Sequence, residues 1–356
     1  MTFSIKPGVV TGKDYLSLVQ ACKQGRYALP AVNVTGTNTA NAVLEAAALN
    51  KSDVIIQLSN GGAEFFAGKG FPDNAQAKVL GAVSAAHHVH MMAQHYGVCV
   101  VLHTDHANKK LIPWVEGMLD HGESYYKQFG RPLFSSHMVD LSEESLDDNI
   151  SESARLLKRM AALDMSIEIE LGCTGGEEDG VGSDDIDNAR LYTQPEDVLK
   201  AYEVLSKIGH FSVAASFGNV HGVYAPGNVK LRPDILKNSQ ALVQSAKGLG
   251  ANPLDLVFHG GSGSDKDKIH ESLDYGVFKM NIDTDTQFAF AHGVGTFVKE
   301  NEMAFFHQID PESGKPYKKQ YDPRTWLRLG EKALIERLSE AFIDLKSNGK
   351  SVADKI

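Results

Sequence analysis

The chain has 356 residues, 42% of them hydrophobic and 22% charged, and a formal net charge of -10; that length holds either two ordinary domains or one α/β barrel with a large core. The acidity repels nucleic acid and anionic membranes, and no basic stripe interleaved with aromatics offsets it. No apolar run reaches the roughly 18 residues that cross a bilayer, and the first residues lack the basic-then-apolar plan of a secretory signal. Cys22, Cys99 and Cys173 are odd in number and widely spaced, which disfavours a disulfide framework or a CxxC metal site and fits reduced thiols in a cytoplasmic protein.

Taken in chain order, short apolar or β-branched runs recur: ALPAVNV (28–34), DVIIQLS (53–59), VCVVLHTD (98–105), LFSSHMVD (133–140), SIEIELG (166–172), FSVAASFG (211–218), LDLVFHG (254–260) and GVFKMNID (276–283). Helical patterns lie between them, among them TNTANAVLEAAALNK, SEESLDDNISESARLLKRMAAL and RPDILKNSQALVQSA, several opening on Ser, Thr or Asp, which cap free N–H groups. Runs this apolar are buried on both faces, and crossovers of this length make a parallel sheet. Eight such units predict a single (β/α)8 barrel domain over 1–356, with an open doubly wound sheet as the alternative. A polar stretch, DPESGKPYKKQYDPR, leads into an amphipathic helix near Thr325, so 301–356 reads as a C-terminal extension.

The polar residues gather at the strand ends: Asp105 and His106 after the third run, Asp140 after the fourth, Glu170 after the fifth, Asn219 and His221 after the sixth, His259 after the seventh, Asn281 and Asp283 after the eighth. A barrel does its chemistry at that mouth. His106, His221 and His259 on three different strands, with carboxylates beside them, suit zinc with an open position for substrate. A second histidine group, His87, His88, His90 and His95, lies in a helical pattern where only His87 and His90 share a face, and reads as core or interface. HGGSGS (259–264) and NIDTDT (281–286) occupy the loops after the seventh and eighth strands, where barrels build phosphate sites from backbone N–H groups. The segment 174–193 is long, acidic and glycine-rich, and reads as a mobile active-site loop in which Glu177 and Glu178 swing on Gly175 and Gly176.

The motifs LHTDH, FSSHMVDLSEE, EIELGCTGGEEDG, ASFGNVHGVY, VFHGGSGS, KMNIDTDTQ and DPRTWLR together resemble the class II, zinc-dependent fructose-1,6-bisphosphate aldolases, in their longer dimeric subgroup. The resemblance runs from about Lys6 to beyond Arg328 and implies a (β/α)8 barrel that splits a sugar bisphosphate in glycolysis and gluconeogenesis through a zinc-stabilised enediolate. It implies His106, His221 and His259 as ligands of a catalytic Zn2+, with Asp140 and Glu170 at a second or displaced metal position. Asp105 matches the acid/base at the aldehyde oxygen, Glu178 the base at the ketone's hydroxymethyl carbon, and Asn281 a residue that steadies the enediolate. Gly222, Gly260, Ser262, Asp283 and Thr284 match the site of one phosphate, beside a sodium or potassium ion. Ser59 and Arg324 match contacts to the other, with Arg324 reaching in from the partner of a homodimer. Where some relatives carry a lysine near the first phosphate, this chain has Ala225. Rival readings are a tagatose-1,6-bisphosphate aldolase of the same class, a Schiff-base lyase using Lys279, in phase with Asn281 and Asp283, and a non-catalytic zinc-binding barrel.

Overall fold

The computed structural model describes residues 4–172, 175–178, 181–183, 192–221, 231–261 and 264–354, with 175–178, 181–183 and 220–221 described by backbone alone. Eight strands fall inside the eight apolar runs: β1 (Leu29–Asn33), β2 (Val54–Leu58), β3 (Cys99–Thr104), β4 (Ser136–Val139), β5 (Ser166–Leu171), β6 (Phe211–Ala215), β7 (Leu256–Phe258) and β8 (Val277–Asn281). All pair in parallel in the order β3-β2-β1-β8-β7-β6-β5-β4, and β4 pairs back onto β3. The ring therefore closes, which removes the open doubly wound alternative and its two unpaired edges. A short strand, Gly8–Val9, runs beside the start of β3.

Helices α1 (Gly12–Gly25), α2 (Thr37–Leu49), α3 (Asn60–Ala67), α4 (Asn74–Tyr96), α5 (Ile112–Phe129), α6 (Leu146–Ala161), α7 (Pro195–Leu205), α8 (Asp234–Lys247), α9 (Lys266–Asp274) and α10 (Thr284–Glu300) alternate with the strands. After them come α11 (Glu302–Phe306), α12 (Lys318–Tyr321) and α13 (Pro323–Asp344). Caps are side chains of the expected kinds: Ser145 accepts from the Asp148 N–H of α6, Asp73 from Gln76 of α4 and Asp265 from Asp267 of α9. The last helix begins at Pro323, where Asp322 accepts from the Arg324 N–H at 3.0 Å. It packs on α10 and α2 and is tied to α2 by two 2.7 Å bonds from Arg328 to Glu45.

Two apolar layers result. One lies between strands and helices; the other fills the barrel floor, where Tyr15, Leu18 and Val19 of α1 meet Leu29, Ile55, Val101 and Val257 from the strands. Above that floor the interior turns polar, and the upper end carries the predicted site. The acidic segment after β5 is not loop throughout: Gly175–Glu178 pairs antiparallel with Val181–Ser183 and in parallel with Val220–His221. The other residues of 174–193 up to 191 lie outside the described residues. Among the described residues no helix is long and apolar enough to cross a membrane.

Candidate active site

Strand alternation decides which side chains reach the barrel interior. Residues two apart share a face, so β3 sends His103 and Asp105 inward, β5 sends Glu168 and Glu170, and β8 sends Lys279 and Asn281; their contacts across the barrel establish this. The upper members form the mouth and the lower members a polar layer beneath it.

Asp105 is 1% exposed and held at both oxygens, by the Asn33 amide at 2.9 Å and the Asn281 amide at 3.3 Å. Burial alone would raise its carboxyl, but His106, 3.0 Å away, with Lys279 and His259 farther off, holds it well below the usual carboxylate range. His106 Nε2 and His259 Nδ1 face each other at 3.1 Å, with Glu170 Oε2 at 3.3 and 3.2 Å from them. These three residues form a group whose ligand atoms all lie within 4.8 Å of one another. Burial opposes charge on Glu170, yet hydrogen bonds from His106 and His259 keep its carboxyl well below the ordinary value.

The donor set fits a divalent cation. Glu168 lies at His259 Nε2 (2.9 Å) and Asp105 beside His106 Nδ1, so with a cation in place those two carboxylates can take the ring hydrogens and leave the nitrogens turned toward Glu170 free to ligate. Two imidazole nitrogens and a carboxylate oxygen converge on one point, where ring protons or a cation must hold them together, and imidazole with carboxylate is what zinc takes. Asn219 donates to the His259 carbonyl at 3.0 Å and Asn149 to that of Glu170 at 2.9 Å, which fixes both strand ends.

The other predicted residues divide. Asp140 turns to Ser142, accepting from its N–H at 3.1 Å and its hydroxyl at 2.6 Å, and stands outside the converging group; burial, then Glu170, raises its carboxyl. His221 is described by backbone alone, in the strand paired with Gly176, and Glu177 and Glu178 by backbone alone in the adjoining hairpin. Gly222, Ala225 and Ser262 lie outside the described residues. Gly260 adopts a left-handed φ of 61° after β7. Asp283 precedes α10 and Thr284 is its first residue, while Ser59 caps α3 by accepting from the Gly62 N–H at 3.0 Å. Arg324 sits at the start of α13 with its side chain 90% exposed, paired among the described residues with Asp322 at 2.7 Å.

Lys279 is no free amine: its ammonium grips both oxygens of Glu168 at 2.8 Å. The helical histidines have local partners, His88 the Asn41 amide oxygen and His90 the Leu133 carbonyl, each at 2.9 Å. Sequence reading missed Asn33, Gln57 and Glu168. Gln57 is fully buried and pairs in register with Asn33 and His103, and among the described residues neither of its amide atoms has a partner. The available signal was spacing: Gln57 and Glu168 stand two residues before Ser59 and Glu170.

Comparison with known proteins adds an independent line. The family model described as "Fructose-bisphosphate aldolase class-II" matches residues 13–350. The class 2 fructose-bisphosphate aldolase of Escherichia coli (strain K12) is 56% identical over 348 residues, covering 96% of this chain and 97% of that protein. A fructose-bisphosphate aldolase of Campylobacter jejuni (strain ATCC 700819 / NCTC 11168) is 54% identical over 98% of each. The crystal structure of the aldolase from Campylobacter jejuni superposes with a TM-score of 0.88 at 53% identity, covering 98% of both chains. With a family model spanning nearly the whole sequence, and relatives more than half identical from end to end, the chain belongs to the class II fructose-bisphosphate aldolases.

Proposed function

We propose that this chain is a lyase that reversibly cleaves fructose 1,6-bisphosphate into dihydroxyacetone phosphate and glyceraldehyde 3-phosphate, a step of glycolysis and gluconeogenesis, with zinc as its metal. The observation that carries the reading is the meeting of His106, His259 and Glu170 beside an ionised Asp105 clamped by two amides. A zinc ion held by His106 and His259, with His221 as third imidazole, would supply a Lewis acid for the charge that breaking C3–C4 leaves on the ketone half.

Asp105 takes the C4 hydroxyl proton in cleavage and returns it in condensation, and Asn33 and Asn281 keep its oxygens aimed while it does so. Glu178 moves the proton at the ketone's hydroxymethyl carbon. Its hairpin is paired with the strand of His221, which couples base and ligand through one small sheet. Gly222, Gly260, Ser262, Asp283 and Thr284 receive the ketone-side phosphate, next to sodium or potassium, where the first N–H groups of α10 favour an anion. Ser59 accepts from Gly62, which leaves its hydroxyl hydrogen to donate to the other phosphate.

Arg324 completes that second phosphate site from a partner subunit. Its outward side chain supports this, as does an apolar surface fit for a second copy, with Phe288 of α10 70% exposed and Phe306 of α11 75% exposed. Buried Cys22 and Cys99, neither in a disulfide, are consistent with a cytoplasmic setting.

Prolonged EDTA treatment is expected to abolish triose phosphate release and Zn2+ to restore it, while borohydride with substrate leaves activity intact. Activity that survives chelation, or covalent trapping at Lys279, overturns the metal reading. Faster release from tagatose 1,6-bisphosphate overturns the choice of sugar.

A further inference from the structure

We propose that Lys279 and Glu168 are positioning residues for the metal: the ion pair holds His259 in the one tautomer and ring orientation that turns Nδ1 toward His106 and Glu170. The inference rests on the metal reading of the mouth given above. Lys279 and Glu168 are each 2% exposed and come from β8 and β5, so their contact crosses the barrel interior. The ammonium lies 2.8 Å from each carboxylate oxygen, and Oε1 of that carboxylate lies 2.9 Å from His259 Nε2. A carboxylate held at both oxygens accepts from Nε2, which leaves Nδ1 as the nitrogen able to offer a lone pair to a cation. On the far side, His103 Nε2 approaches Glu168 Oε2 at 3.5 Å while its Nδ1 meets the Ser136 hydroxyl at 2.7 Å, which limits rotation of the carboxylate.

Buried ion pairs are a weak source of stability, because desolvation consumes most of the Coulombic gain and an apolar pair of equal size does as well. This pair lies directly beneath a metal-binding histidine. A carboxylate behind such a ring fixes its tautomer and raises its basicity, and losing one typically costs 10- to 100-fold in metal affinity. Lys279 acts one step further back: gripping both oxygens of Glu168 at 2.8 Å, it holds that carboxylate in the plane that meets the ring.

The test measures Zn2+ affinity by competition with a chromophoric chelator, using EDTA-stripped protein. Glu168→Gln and Lys279→Met are each expected to weaken Zn2+ binding roughly 10- to 100-fold, and the double variant no more than the worse single change, because both act through one path. Nitrogen-15 spectra of the stripped protein, taken at a pH high enough for the ring to be neutral, should show His259 protonated at Nε2 in the wild type and a mixture of tautomers in Glu168→Gln. His259→Ala sets the scale. If it leaves Zn2+ affinity unchanged, the metal reading itself fails. If it weakens binding while folded Glu168→Gln stays within about threefold of the wild type, the positioning role is overturned and the pair is merely structural. Should Lys279→Met not fold, Glu168→Gln and the double variant, which buries no lone charge, still decide the matter.

Discussion

Asp105 accepts from two amides and lies beside His106 Nδ1, so replacing it with its own amide keeps the side chain's size while removing the carboxylate that carries the proton. Assayed at saturating Zn2+, Asp105→Asn is expected to keep the fold but to lower turnover roughly 10²- to 10⁴-fold, the usual contribution of a positioned acid or base. Glu178→Gln should do the same and Glu177→Gln far less; wild-type turnover in Asp105→Asn, or a larger loss at Glu177 than at Glu178, would reassign the proton transfers. At this scale the sequence was legible wherever a residue ends a strand. Asp105, Glu170, His259 and Asn281 could be picked out because polar residues closing apolar runs are conspicuous. The supporting row one layer down was not. Glu168 sits inside an apolar run, SIEIEL, and its partner Lys279 is 111 residues away, on a strand whose facing position depends on how the barrel closes.

At the scale of elements, the eight strands were legible because burial on both faces makes each an unbroken apolar run. The hairpin Gly175–Glu178 with Val181–Ser183 was not, since it has glycine and acid in place of such a run and its third strand, Val220–His221, lies far along the chain. Helix α10 raises a different question. It begins at the proposed phosphate site, packs on α13, and yet of its residues only Thr286 is buried. If its outer face with α11 meets a second copy, Phe288→Glu should shift the protein from dimer toward monomer in sedimentation experiments, since a buried unpaired carboxylate is costly. Arg324→Ala should leave assembly intact but lower kcat/KM for fructose 1,6-bisphosphate on the order of 30- to 1,000-fold, as loss of a phosphate-gripping guanidinium does. Mixed dimers of Arg324→Ala with His106→Ala should then recover one intact site, up to half the activity of a wild-type dimer. Proven heterodimers without recovery would show that Arg324 serves its own barrel or none.

The whole molecule carries the cost of its polar interior as a dependence of stability on pH. His103 and His137 are buried and held neutral, with pKa values pushed down to about 3, His137 by burial alone and His103 by burial and then by Lys279. The unfolded chain binds protons on both near pH 6.5 while the native state cannot, so their contribution is fully present above that pH and is lost as pH falls toward 3. Between pH 6.5 and 5.0 each should remove on the order of 1–2 kcal/mol. Asp53 works the other way. It lies at the barrel floor, accepts from Ser351, Val352 and Cys99, and burial raises its carboxyl to about 6. The native state therefore takes up its proton before the unfolded chain does, returning roughly 1 kcal/mol over the same interval. Two histidines outweigh one aspartate, so these three groups together lower stability by roughly 2 kcal/mol as pH falls. His137 isolates the effect: it bonds Thr104 at 2.7 Å, packs on Phe134 at 4.8 Å between ring centres, and is not one of the three residues of the metal group. In urea unfolding of the metal-free protein, His137→Gln should be less stable than wild type at pH 6.5 but should lose on the order of 1–2 kcal/mol less on going to pH 5.0. Equal losses in the two proteins would mean that His137 takes up its proton in the native state, and that the interior is wetter at this strand than its packing indicates.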